Sequence, residues 1–277
     1  VVTAPVTTAM ASAAAPLVPH EVANTVSQTQ TALDPFAPWA LLVVLLLAAW
    51  ALAAYRRRVL GPARPAAPRT DLARALTAVA LLALPWAALV GALQAAPPAR
   101  WLTQLDTQAA QWAQAVSTPA LRRPAVFLSD IGDVLPLAVL TLIVAVWLWR
   151  RRQHLLAGAW LLSITANALA IRVLKNLFAR ARPDTAAEMA TSGHSFPSGH
   201  AAGALMVFGL LAWVLCDQLD RRWHGLIVGA AALLIAGIAA SRVLLGVHYF
   251  SDVLGGLLWA GMVLLLTLTI VRQAGRW

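Results

Sequence analysis

Charge is scarce in this 277-residue chain. Asp, Glu, Lys and Arg together make up 12% of it and 60% is hydrophobic, whereas soluble globular domains carry roughly 25% charged residues. With a mean hydropathy of +0.73, an ordinary soluble domain is excluded. Cysteine is almost absent. Cys216 stands alone, so there is no partner for an intrachain disulfide and no second thiol for a structural zinc site. Lysine is almost absent too, with Lys175 set against 20 arginines. The net charge of +10 would point to nucleic acid in a soluble protein, but in an apolar chain basic residues set membrane topology, and no nucleic-acid partner is expected. Residues 1–37 contain no Lys or Arg. They lack the basic start of a cleavable signal peptide and any periodic apolar face, so the sequence predicts a disordered tail.

Long apolar runs are plentiful. They fall at about 39–55, 75–96, 134–149, 156–174, 199–216, 225–241 and 253–271, each near the length of about 20 residues that a spanning helix needs. The expected fold is all-α, a polytopic membrane bundle of seven spans. Pro85 in the second span is tolerable in a membrane helix. The stretch 98–128 mixes Trp101, Leu105 and Trp112 with Gln, Asp and Thr, which suits a helix lying in the interface; a solvated loop is the alternative. The expected division is a tail over 1–37, a first span with an Arg-rich loop over 38–74, and a membrane domain over 75–277.

Arginine positions orient the bundle. Arg56, Arg57, Arg58, Arg64, Arg69 and Arg74 follow the first span, Arg150 to Arg152 the third, Arg221 and Arg222 the fifth, and Arg272 and Arg276 the last. Seven spans put all four groups on one side, which the positive-inside rule makes cytoplasmic. The N-terminus is then outside and the C-terminus inside. Arg100, Arg122 and Arg123 remain outside in the stretch 98–128, and Arg172, Lys175, Arg180, Arg182 and Arg242 at outer span ends, which should be poor in basic residues.

Three segments concentrate the polar residues there: Lys175 to Pro183 (KNLFARARP), His194 to His200 (HSFPSGH) and Ser241 to Asp252 (SRVLLGVHYFSD). Ionisable groups at membrane depth are costly and mark functional sites. This set has cations in excess and two histidines in motif context, His200 and His248, with Asp184, Glu188 and Asp252 as the nearby acids. Such a set fits a phosphate. Arg182 and Arg242 can each hold two phosphate oxygens, and Lys175 adds a compact charge. A helix continued to Arg182 would put Lys175 and Arg182 on one face, two turns apart. Pro197 is suited to open the fifth span, leaving Ser198, Gly199 and His200 at a helix N-terminus whose N–H groups and dipole favour an anion. His248 and Asp252 are spaced i, i+4, so the carboxylate can hold one ring nitrogen protonated and leave the other as base or nucleophile. Spacing does not choose between His200 and His248 as nucleophile. No ligand spacing for a metal accompanies the pair. His194 fits a solvated loop, and Arg172 and Arg180 fit end-of-span arginines or a positive surface potential.

The patterns K-x6-R-P (Lys175 to Pro183), P-S-G-H (Pro197 to His200) and S-R-x5-H-x3-D (Ser241 to Asp252) resemble, complete and in order, the three-part signature of the type 2 phosphatidic acid phosphatase superfamily. The resemblance covers about residues 75–271, a six-helix core, with the first span as an addition. Phe250 stands where a proline is frequent. The resemblance implies a metal-independent lipid phosphatase without cofactor, acting on a phospholipid or polyprenyl phosphate or diphosphate in a membrane of bacterial type. His248 would attack phosphorus, Asp252 would orient it, and His200 would protonate the leaving group. Lys175, Arg182, Ser198, Gly199 and Arg242 would bind the phosphoryl oxygens. Two other readings share the signature or its chemistry: a vanadate-binding haloperoxidase, whose relatives are typically soluble and larger, and a non-catalytic anion- or lipid-binding membrane protein. A binding-only site would need neither the carboxylate-held His248 nor a second histidine.

Overall fold

The computed structural model describes residues 68–185 and 193–274. The predicted tail, first span and most of its Arg-rich loop lie outside these residues, as does Glu188. The described residues form eight α-helices: α1 (Pro68–Gln94), α2 (Arg100–Val116), α3 (Pro119–Ile131), α4 (Val134–Arg150), α5 (His154–Phe178), α6 (Gly199–Gln218), α7 (His224–Leu244) and α8 (Phe250–Ala274). Helix α1 begins earlier than the apolar run suggests, so Arg69 and Arg74 ride on it. Five of the eight (α1, α5, α6, α7 and α8) are long and apolar enough to cross a membrane. The pair α3 and α4, bent by 48°, passes the same test when counted as one broken span, which makes six. That is the predicted six-helix core, with one revision: the short third span is completed by α3, which the sequence placed in the interface. Gly132 and Asp133 make the break, and the Asp133 carboxylate caps α4 by accepting from the Val134 N–H at 2.7 Å.

Helix α6 is the hub. Its Ala201, Ala202 and Ala204 are fully buried, and it packs against α4, α5, α7 and α8, because small residues let helix backbones approach closely in a membrane. Outward faces carry Leu81, Leu84, Leu162 and Leu233, each 65–77% exposed. Bare leucine over whole helix faces suits lipid as solvent and not water. Helix α1 lies antiparallel along α8: a Cβ on Gly255 would meet Leu89 and one on Gly261 would meet Leu82. Trp160 of α5 is sealed in the core, and its indole N–H donates to the Thr141 carbonyl of α4 at 2.9 Å. The first part of the stretch expected to be an interfacial helix or a loop is helical: it forms α2, whose buried Leu102, Asp106 and Ala113 share one helical face.

Candidate active site

Helix α5 stops at Phe178 because Ala179 takes a left-handed conformation, with φ 45°. For an L-residue with a Cβ that costs about 1–2 kcal/mol, and such strain is characteristic of functional positions. The expected continuation of the helix to Arg182 is therefore corrected. Lys175 sits in the last turn of α5, while Arg180 and Arg182 lie beyond it on irregular chain and both reach the start of α8. The Lys175 ammonium donates to the His194 and Ser195 carbonyls at 2.5 and 3.2 Å. Arg182 donates to the Gly193 and Val247 carbonyls at 3.0 and 2.9 Å, and its Nη1 stands 3.3 Å from His248 Nε2.

The start of α6 is also corrected. Pro197 precedes the helix, Ser198 is its N-cap, and Gly199 is the first helical residue. The Ser198 side chain does not cap. Its Oγ is buried without a hydrogen-bond partner, a costly state for a hydroxyl unless an anion completes it. The Ser198 N–H donates to the Asp252 carbonyl at 2.9 Å, which ties α6 to the first turn of α8. Gly255 and Gly256 make this approach possible: a Cβ on Gly256 would lie 2.5 Å from the Ser198 carbonyl oxygen.

His248 occupies the turn between α7 and α8 and is buried. Its Nδ1 faces Asp252 Oδ2 at 3.3 Å. Since a carboxylate only accepts, the proton belongs on Nδ1 and the Nε2 lone pair faces Arg182. Burial pushes the imidazole down to about 4; Asp252 opposes this, while Lys175 and Arg182 reinforce it, so the ring is neutral at pH 7. Asp252 is fully buried. Its Oδ2 also accepts from the Ser195 hydroxyl and, at 2.9 Å, from the Tyr249 N–H. His200, half-buried in the first turn of α6, lies beside Gly132 at the α3–α4 break. Arg242 is buried in the last turn of α7, where it donates to the Ser129 hydroxyl, while its Nε has no partner. Lys175, Arg182 and Arg242 lie close enough to repel one another. All eight residues singled out from the sequence thus lie at one end of the bundle, around His248 and the start of α6.

Sequence reasoning missed part of the surroundings. Arg180, expected at a span end, pairs with Asp252 at 2.6 Å and Asp106 at 2.8 Å. Burial lowers its pKa, but the two carboxylates more than offset this and raise it. The three nearby acids named from the sequence are joined by Asp106, and Asp130 and Asp133 act electrostatically on Arg242. A usable signal existed for Asp106, because a carboxylate four residues after Leu102 on the buried face of α2 needs a partner. Among the described residues, no group of three His, Cys, Asp or Glu side chains could hold a metal.

The PAP2 superfamily model matches residues 156–276, a stretch containing every signature residue of the site. A putative undecaprenyl-diphosphatase of Escherichia coli is 35% identical over 170 residues, covering 57% of this chain and 77% of that protein. This chain belongs to the type 2 phosphatidic acid phosphatase superfamily. The phosphatidylglycerophosphatase B of Bacillus subtilis is 41% identical over 101 residues, 35% of this chain and 48% of that one. The crystal structure of a transmembrane PAP2-type phosphatidylglycerolphosphate phosphatase from Bacillus subtilis superposes with a TM-score of 0.63 at 26% identity, over 72% of this chain and 96% of that one. Like these superfamily members, the chain is an integral membrane protein and a phosphatase of lipid phosphate headgroups.

Proposed function

We propose that this PAP2 enzyme hydrolyses a lipid phosphate or diphosphate through a phosphohistidine on His248, without a metal. The observation that carries this is the polarised His248: Nδ1 is held by a buried carboxylate and Nε2 is directed at an arginine in a cluster of cations. Lys175, Arg182 and Arg242, the unsatisfied Ser198 hydroxyl and the N–H groups of Gly199 and His200 bind the phosphoryl oxygens. Nε2 of His248 donates its lone pair to phosphorus while the bond to the leaving oxygen breaks, and His200 gives that oxygen a proton. Asp252 stabilises the imidazolium that forms. Water then attacks phosphorus, His200 takes its proton, the P–N bond breaks and inorganic phosphate leaves. Three cations around one anion supply the charge stabilisation that a metal clamp supplies elsewhere.

The site end of the bundle is extracytoplasmic in this reading, since Arg150 to Arg152, Arg221, Arg222 and Arg272 lie at the opposite helix ends. Activity is tested by phosphate release from phosphatidate, phosphatidylglycerophosphate, undecaprenyl diphosphate and lipid A phosphates. At least one should be hydrolysed in the presence of EDTA and blocked by vanadate. Full loss with EDTA and recovery with magnesium or zinc would sink the mechanism.

A further inference from the structure

Asp106 lies outside every signature segment, yet it closes a ring of hydrogen bonds around Asp252. Arg180 Nη1 donates to Asp252 Oδ1 at 2.6 Å and to the Ser251 hydroxyl at 2.7 Å, while Nη2 donates to Asp106 Oδ2 at 2.8 Å. Asp106 is held in turn by the Ser251 N–H at 2.8 Å and the Ser251 hydroxyl at 2.7 Å. The guanidinium also stacks over Tyr249, 4.1 Å from the ring centroid. Its plane is thus fixed from several directions. Side-chain exposure is 17% for Arg180, 6% for Asp106 and none for Asp252, so these charges interact with little screening.

We propose that Asp106 and Arg180 are positioning residues for the His248–Asp252 pair. Arg180 fixes the carboxylate, and Asp106 supplies the charge that lets it do so without neutralising Asp252 towards His248. The inference rests on the reading of His248 as nucleophile. Asp106 and Asp252 carry two negative charges against the one positive charge of Arg180, which leaves one net negative charge beside the imidazole. Without Asp106 the remaining pair is neutral, and the stabilisation of the imidazolium weakens. Without Arg180 the net negative charge rises to two, while Asp252 Oδ1 loses its donor and two carboxylates face each other in a buried space. Helix α2 is thereby coupled to the nucleophile, both through Arg180 and through Ser251, the neighbour of Asp252.

The test uses the full chain in detergent or lipid, with Asp106→Asn, Arg180→Gln and Arg180→Lys. The readouts are kcat and KM per folded enzyme and the pH dependence of phosphoenzyme formation. Removing the hydrogen-bond partner that orients a metal-ligating histidine or carboxylate costs about 10- to 100-fold, and by analogy kcat should fall by about that factor in the Asn and Gln variants with KM within about twofold. The nucleophile must be neutral, so its acid limb reports the charges facing it: Asp252 from α8, Lys175 from α5, Arg182 from the following segment and His200 from α6. Asp106→Asn removes a negative charge and should move the limb to lower pH. Arg180→Gln removes a positive one and should move it to higher pH. Arg180→Lys should restore the position of the limb but only part of the rate, because an ammonium lacks the fork.

A mere anchor for α2 would lower thermal stability and leave kcat and the limb unchanged. Asp106, Arg180 and Tyr249 also form one wall of a groove of about 570 Å³, and a headgroup contact there would raise KM instead. Either result overturns the proposal. If Asp106→Asn does not fold, Asp106→Asn with Arg180→Gln removes both charges together; kcat within twofold of wild type in that double variant would equally overturn it. A phosphoenzyme that persists in His248→Ala would instead refute the nucleophile reading on which the inference rests.

Discussion

Replacing Gly256 with alanine should cost most of the activity although Gly256 itself offers the phosphate nothing, because the new methyl group displaces the backbone of Ser198. Its Cβ would stand 2.5 Å from the Ser198 carbonyl oxygen and 3.4 Å from the Ser198 nitrogen and carbonyl carbon. A carbon and a carbonyl oxygen need about 3.3 Å, so the start of α6 and the first turn of α8 must part by roughly 0.8 Å at this point. No rotamer change can relieve the clash, because the opposing atom is backbone. The displaced segment carries the Ser198 N–H bond to the Asp252 carbonyl and everything the helix start offers to phosphate. Overpacking costs about 1–3 kcal/mol of stability, and a misplacement of about 1 Å costs about 100-fold in rate. The assay compares kcat/KM and thermal unfolding for Gly256→Ala and Gly229→Ala, since a Cβ on Gly229 meets nothing within 4 Å. Gly229→Ala should match wild type, while Gly256→Ala should fold and lose about 100-fold in kcat/KM. Activity within threefold of wild type would refute the argument that this contact sets the cradle.

Two further outcomes are expected. His200→Ala should cripple hydrolysis of phosphatidate, where an alkoxide must be protonated and a general acid supplies about 10²- to 10⁴-fold. It should cost far less with p-nitrophenyl phosphate or a diphosphate, and equal losses on all three would remove His200 from the acid role. A reporter active only outside the cytoplasm should be active when fused after Pro183 and silent when fused at Arg152; the reverse would invert the proposed orientation.

The six crossings of the core were legible because each apolar run must satisfy its own backbone in lipid, which leaves a helix as the only solution. The bend at Gly132 and Asp133 was not. Residues 98–128 mix polar and apolar side chains throughout, and nothing in that mixture marks where α2 ends and α3, which packs on α7 through Leu128 and Ser129, begins. That these eight residues gather at one end of the bundle was foreseeable because five of them are cations or histidines at span ends, where lipid has no use for charge, and Ser198, Gly199 and Asp252 share their motifs. Their backbone setting was harder. A left-handed alanine at 179 carries no sequence signal, so the helix was extended to Arg182 when it ends four residues earlier. Asp106 and Arg180 escaped because their pairing joins α2 to segments far along the chain: local spacing shows that Asp106 shares a face with Leu102 and needs a partner, but not that the partner is Arg180.

The central claim is that His248 becomes covalently phosphorylated. Rapid acid-free quenching of turnover on a ³²P-labelled substrate, followed by mapping of the labelled peptide, measures this directly. Label should appear on His248 in wild type, accumulate more slowly in Asp252→Asn, and be absent in His248→Ala. Labelled phosphohistidine in His248→Ala, or turnover in wild type with no labelled enzyme under any quench, would contradict the account.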